Sequence, residues 1–199
     1  MSNLIERSVA WLLQNRKGHD AGLIHKSKPF SGLPNPTIPL ECNLGPTGSD
    51  IPPEYSFFHQ GLFPTLQWPA QDGAVEYLLV VEDPDAPFAD PIVHGLYYGI
   101  PATTTRLTNE DFEVIGEDSA FTLRGDFKYG LNRRKSVYIA PRGLLGHGPH
   151  RYFYQLVALR ERSDKSKLTA PVSKEDIIRQ VDGKVICWGV WQGIWERTE

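Results

Sequence analysis

Residues 75–87 read VEYLLVVEDPDAP. The centre of Val75–Glu82, from Leu78 to Val81, is apolar at every position, so this segment is expected as a strand covered on both faces. The Asp83-Pro-Asp-Ala-Pro87 stretch that follows cannot continue a ladder, because each proline lacks a donor and aspartate favours a turn. The chain therefore turns where its most buried strand ends, and a stiff backbone aims the Asp83 and Asp85 carboxylates. Pro87, behind a small residue, is a candidate for a cis peptide bond. Taken alone, the hexapeptide 82–87 reads equally well as an Asx-type turn without chemistry.

On either side, three further segments have strand character: Ile92–Ile100 (IVHGLYYGI), Ser136–Ala140 (SVYIA) and Tyr152–Leu159 (YFYQLVAL). Thr37–Cys42 is expected as an edge strand, since Pro39 removes a ladder donor. The segment from Lys28 to Pro69 is too rich in proline for helix. At the N-terminus, Ile5, Val9, Leu12 and Leu13 recur at helical spacing with Trp11 alongside. Asn3 and Glu6 fit a capping box, and Gly18 is placed to end the helix. Docking of this helix on its own domain is preferred to a membrane-surface role. Ser173 with Asp176 marks a second helix start, and Trp188, Trp191 and Trp195 fall at helical spacing beyond it. One domain spanning 1–199 is expected, mostly β, with a helix and lead-in over 1–27 and a helical segment over 170–199.

Composition agrees with this and removes several functions. The 199 residues include 18 glycines and 16 prolines spread along the chain, which favours short strands and turns. With 21 basic and 24 acidic residues the net charge is −3, which lacks the footprint of a non-specific nucleic-acid binder. No apolar run is long enough to span a bilayer. Cys42 and Cys187 stand alone, so neither structural zinc nor a disulfide framework is expected. No secretory leader is evident and Glu6 argues against a transit peptide, so a cytoplasmic location is expected.

Two more stretches carry chemistry. His94 lies on the second strand, with Leu96 and Tyr98 on its face by period-two alternation. Gly143-Leu-Leu-Gly-His-Gly-Pro-His-Arg-Tyr152 runs a glycine-rich loop into a strand, with His150, Tyr152 and Tyr154 on one face and Arg151 on the other. The loop could present N–H groups to an anion. It has no Gly-Lys-Ser/Thr, so nucleotide hydrolysis is without support. Asp83, His94, His150 and Tyr152 together suggest an anion-binding cavity whose affinity rises as pH falls. A metal on His94, His150 and Asp83 is the weaker alternative, and no nucleophile is present for hydrolysis.

These residues resemble the phosphatidylethanolamine-binding protein family, in particular its fungal branch. The resemblance rests on Asp83-Pro-Asp-Ala-Pro87, on His94, and on Gly148-Pro-His-Arg-Tyr152. Phe63-Pro-Thr-Leu-Gln-Trp68, Gly193-Ile-Trp-Glu-Arg197 and the stretch from Trp11 to Asp20 support it. It implies a two-sheet β-sandwich with peripheral N- and C-terminal helices, and a pocket for phosphate, a phospholipid headgroup or a carboxylate. Asp83, Pro87, His94, His150 and Tyr152 match its pocket positions. No metal or nucleotide cofactor is implied. Asp85 and Arg151 also match motif positions and are expected to pair as a brace.

Departures from the family pattern bear on the ligand. Gly143-Leu144-Leu145 stands where many members carry prolines, and Gly193-Ile194-Trp195 replaces a Gly-Thr-Tyr pattern. Both changes suggest an apolar rim and an alkyl-bearing ligand. The resemblance leaves two functions open: a non-catalytic binding protein, and an accessory enzyme of fungal secondary-metabolite biosynthesis that assists coupling of carboxylate or maleic-anhydride polyketide intermediates. In the enzyme reading, Asp83, His94 and His150 are the catalytic candidates. Some relatives act on kinases or proteases through their surfaces, which keeps a protein partner open.

Overall fold

The structure is a computed structural model that describes residues 3–117, 121–164 and 167–198. Its frame is a six-stranded antiparallel sheet built on β3 (Glu76–Asp83) and β4 (Ile92–Pro101). β6 (Thr122–Leu123), β7 (Phe127–Tyr129), β8 (His150–Leu159) and β9 (Val185–Trp195) complete it in the order β6-β7-β4-β3-β8-β9. A small sheet of β1 (Glu41–Cys42), β2 (Leu66–Gln67) and β5 (Arg106–Leu107) forms the second layer.

β3 is buried along its whole length because both faces of the large sheet are covered. Tyr77, Leu79 and Val81 point with Tyr154, Leu156 and Trp191 into a core that includes Leu66 and Leu107 of the second sheet. Leu78 and Val80 point the other way, with Leu96, Tyr98 and Val157. That face is closed by Ile177 and Val181 of helix α2 (Lys174–Val181) and by Ile24 and Phe30 of short 3₁₀ turns in the lead-in. The fold is thus mostly β with two antiparallel sheets, as its sequence implies. α2 begins where expected: Ser173 accepts from the Asp176 N–H, and the Asp176 carboxylate accepts from the Ser173 N–H in return.

Four expectations are corrected. Trp188, Trp191 and Trp195 lie on β9 and not on a helix. Trp188 packs into one core and Trp191 and Trp195 into the other. A spacing of three residues reverses the face of a strand, so rows from two faces imitate a helical stripe. Ser136–Ala140 joins no ladder. Its backbone is taken up chiefly by side chains: Asn132 accepts from the Ser136 N–H and the Tyr97 hydroxyl donates to the Val137 carbonyl, while Ile139 pairs with His94. The strand expected over Thr37–Cys42 shrinks to Glu41–Cys42, because Thr37 and Ile38 both donate to the Trp188 carbonyl and Pro39 cannot donate. Ala86–Pro87 is trans, and the cis peptide among the described residues is Ala170–Pro171. Here the Asp83 carboxylate closes the turn by accepting from the Asp85 and Ala86 N–H groups, so a trans chain suffices.

The N-terminal helix, α1 (Asn3–Leu13), ends before Gly18. The side chain of Asn3, and with it the expected capping box, lies outside the described residues. α1 does rest on the domain, but only part of its apolar stripe does so: Val9 and Leu13 are half-buried. Leu4, Ile5, Trp11 and Leu12 are exposed, whereas Ala10 is buried. Glu6 holds it down, accepting from the Leu145 N–H at 3.2 Å and from Arg197 at 2.6 Å.

Candidate functional site

The site forms where β3, β4 and β8 end side by side. Strand alternation places Asp83 on the face of Val81, and His150 on the face of Tyr152 and Tyr154. His94 would point the opposite way, with Leu96 and Tyr98, if β4 were regular. Its register breaks: Val81 pairs with Gly95, but Glu82 pairs with Val93. His94 is the extra residue of this bulge, and its ring turns to the other face, edge-on to Tyr152 with centroids 5.1 Å apart. The expectation that His94 shares a face with Leu96 and Tyr98 is therefore overturned. A second register shift, with Gly99 at φ +74°, follows it along β4.

His94 is held from three directions. Its carbonyl accepts from the Ile139 N–H at 2.8 Å and from Asn132 Nδ2 at 3.1 Å, and its Nδ1 lies 2.6 Å from the Ile139 carbonyl. A carbonyl only accepts, so Nδ1 carries the proton. Burial pushes the imidazole below its ordinary pKa, outweighing the nearby Asp83 carboxylate, so the neutral ring leaves an unprotonated Nε2. That atom is buried and has no hydrogen-bond partner among the described residues. Its distance to Asp83 Oδ2, 3.9 Å, is too long for a hydrogen bond.

Asp83 instead accepts from His150 Nδ1 at 2.8 Å, and its other oxygen caps the 83–86 turn. Beyond His150 stands His147, which sequence reasoning missed. Its Nδ1 is 2.8 Å from His150 Nε2, and its Nε2 is 3.0 Å from the Leu13 carbonyl at the end of α1. The Asp83 carboxylate and the Leu13 carbonyl both accept, so His150 Nδ1 and His147 Nε2 both donate. Burial pushes the His147 imidazole down. Tyr152 is fully buried and accepts from the Arg142 N–H at 3.1 Å. Burial first, and Asp83 second, raise its phenol well above the ordinary range, so it stays protonated.

A cavity of about 240 Å³ opens in front of this cluster. Pro87, His94 and His150 line it, while Asp83 and Tyr152 sit behind them. Leu144 is on its wall, but Leu145 is buried against α1. Three arginines complete the lining: Arg133, Arg134 and Arg142. Arg133 lies over the Phe88 ring at 3.7 Å, and Arg134 and Arg142 lie over Phe57 at 4.7 and 4.5 Å. None of them has a carboxylate partner among the described residues. The arginines were also missed, although the basic run Asn132-Arg-Arg-Lys135 and the Gly-His-Gly-Pro-His spacing were visible signals. Among the described residues no three His, Cys, Asp or Glu side chains converge as metal ligands.

Asp85 does not face the cavity. It pairs with Arg151 through two side-chain bonds of 2.8 and 2.7 Å and also accepts from the Arg151 and Gly18 N–H groups. Asp20 takes the far side of the same guanidinium at 3.0 and 2.7 Å. The brace expected from the sequence is present and also fastens the N-terminal lead-in to the turn.

Comparison with known proteins places this geometry. A sequence model described as "Phosphatidylethanolamine-binding protein" matches residues 43–196. A "Phomoidride biosynthesis cluster protein B" from Fungal sp. (strain ATCC 74256) is 43% identical over 198 residues, covering 98% of this chain and 95% of that protein. The protein of the same name from Talaromyces stipitatus is 41% identical, covering 97% and 81%. Among solved structures, Escherichia coli YbcL, described as a member of the mammalian PEBP family, aligns with a TM-score of 0.66 at 21% identity. It covers 80% of this chain and 98% of that one. A putative phosphatidylethanolamine-binding protein homologue from Chlamydia trachomatis aligns at 0.64 with 23% identity, covering 82% and 99%. The family model matches over most of the chain and two relatives exceed 40% identity over nearly all of it, so the protein belongs to the phosphatidylethanolamine-binding protein family.

Proposed function

We propose that the protein binds a small anionic ligand, a carboxylate or a phosphate group, in the cavity headed by His94. The observation that carries this reading is His94 Nε2, a buried polar atom without a hydrogen-bond partner among the described residues, which faces a cavity rimmed by three arginines that have no carboxylate partner among them. Such an atom is costly to leave unmatched, and a ligand oxygen bearing or gaining a proton matches it. An anion favours the imidazolium, so binding raises the His94 pKa and takes up a proton, and affinity increases as pH falls from 7.5 to 6. Titration with phosphate, phosphorylethanolamine and a short dicarboxylate, followed by histidine-resolved NMR at both pH values, tests this. Shifts at His94 and His150 that grow stronger at pH 6 support it, and two silent histidines refute it.

A second reading has its own observation. A buried, unprotonated Nε2 facing arginines is suited to take a proton from a carbon acid, leaving an enolate charge beside the guanidiniums. The resemblance to proteins named for phomoidride biosynthesis supports a role in a fungal biosynthetic pathway. Under this reading an alkyl-substituted maleate incubated in D₂O exchanges its acidic C–H or yields new product signals. An unchanged spectrum at saturating binding leaves the protein a carrier of its ligand.

A further inference from the structure

Helix α1 carries two rows of side chains, and its own domain uses one of them. Glu6, Val9, Ala10 and Leu13 recur at the spacing of one helical face and form the inward row. Ala10 is buried there and the other three are half-buried. Leu4, Ile5, Ser8, Trp11 and Leu12 form the opposite row. Its four apolar members keep 79%, 55%, 66% and 71% of their surface exposed. Leu4, Ser8, Trp11 and Leu12, with Arg7 at the edge, line a shallow groove along the helix.

One exposed leucine is ordinary, but four large apolar residues on one helix face are not. They present roughly 500–600 Å², the upper end of what the largest patch on a monomer reaches. Burying that face in two copies removes about 1,000 Å² or more, the least that a specific protein interface needs.

The order of the residues points to the occupant. In a two-fold contact the same patch must complement itself. The outer row is symmetric about Ser8. With the axis there and the helices antiparallel, Leu4 of one copy meets Leu12 of the other, and Ile5 meets Trp11. Ser8 lies on the axis, where a small side chain lets the helices approach. Its hydroxyl already donates to the Leu4 carbonyl at 2.9 Å, so covering it strands no donor. The one acid of the helix, Glu6, is turned inward to Leu145 and Arg197, and Arg7 stays at the rim. A lipid surface fits less well. Helices that lie on membranes carry many lysines and arginines on their polar face, whereas here that face bears Glu6 and is packed on the domain.

We propose that the protein forms a symmetric dimer in which its two α1 helices pack antiparallel, centred on Ser8. The contact borders the candidate site, because the Leu13 carbonyl at the end of α1 accepts from His147, the neighbour of His150.

Sedimentation of the full chain between about 1 and 200 µM should show monomer passing to dimer, since an interface this small implies micromolar affinity. Trp11→Glu and Leu12→Glu should each raise the dissociation constant at least about tenfold. Both positions face solvent, and unmoved NMR signals of His94 and His150 will show that the variants are folded. Leu4→Lys alone should also weaken the dimer, but Leu4→Lys combined with Leu12→Glu should recover part of the loss. Only the antiparallel register sets those two positions against each other. A monomer throughout the range would overturn the proposal, and so would a dimer that both glutamate variants leave intact. A double variant weaker than either single one would overturn the register. Vesicles of phosphatidylcholine and phosphatidylglycerol supply the remaining arm. Trp11-dependent pelleting of a monomer with them would mean that lipid, and not a second copy, covers this face.

Discussion

Three histidines, His25, His94 and His147, are held below their ordinary pKa, in each case first by burial. The fold favours their neutral forms, whereas an unfolded histidine takes up its proton near pH 6.5. Below that value the unfolded chain binds more protons, so their contribution is complete above about pH 6.5 and lost as pH falls towards the folded-state values. The ligand-free protein should therefore melt at a lower temperature at pH 5.5 than at pH 7.5, a window above most carboxylate titrations. His94→Phe should flatten that slope, and calorimetry at the two pH values checks both. Asp85 shows the opposite balance. Burial alone would push its carboxyl up, but the Arg151 bonds outweigh this and hold it low. Arg151→Met leaves a nearly buried carboxylate facing only backbone donors. It should cost about 2–3 kcal/mol in denaturant unfolding, with Arg151→Lys between the two. Because the pair does not face the cavity, acetate affinity of the folded Arg151→Met protein should stay within about twofold. A loss of affinity at unchanged stability would contradict the brace.

At the scale of elements, what the sequence reveals depends on whether local pattern or distant partners decide the outcome. β3 is legible because burial on both faces leaves an unbroken apolar run, and α2 because Ser173 and Asp176 cap it locally. His94, His150 and the 83–87 turn are legible through their residue types, and the family resemblance brings them together. Not legible is the bulge that turns His94 towards Tyr152, since a register shift is a property of two strands at once. The 136–140 segment fails similarly, because its partners are the side chains of Asn132 and Tyr97 and the bulged His94 rather than a ladder strand. α1 is the sharpest mismatch between pattern and docking. Leu4, Ile5, Trp11 and Leu12 face solvent, and besides Ala10 it is fastened by Glu6 and by the His147–Leu13 bond. Glu6→Ala removes the acceptor shared by Leu145 and Arg197, and His147→Phe removes the bond to the Leu13 carbonyl. Each should speed hydrogen exchange of the α1 amides by roughly tenfold while β3 and β8 are unchanged. Equal acceleration in the strands would mean that the helix is integral to the sheet's stability.

At the scale of the molecule, the two faces of β3 divide the labour between holding a ligand and holding the chain together. The end of one face carries Asp83, next to the cavity, and on the other Glu82 is completely buried. The Glu82 carboxylate accepts from the Ile24 N–H and Gln155 Nε2, both at 2.8 Å, and from the Lys174 ammonium. Lys174 also donates to the Gly22 carbonyl at 2.6 Å. One carboxylate thus joins the lead-in, β3, β8 and α2, which are far apart in sequence. A buried pair of this kind adds little over an apolar replacement, but breaking one side strands the other charge. Lys174→Met should therefore destabilise by about 3–5 kcal/mol, and Glu82→Leu with Lys174→Met should recover part of the loss, giving a clear coupling in a double-mutant cycle. The same variants separate stability from binding. Lys174 is engaged by Glu82 and by the Gly22 carbonyl and does not line the cavity headed by His94, so Lys174→Met should leave acetate affinity unchanged. Weakened acetate binding by a folded Lys174→Met protein would mean that the lysine reaches the ligand, and that the division between the two faces of β3 does not hold.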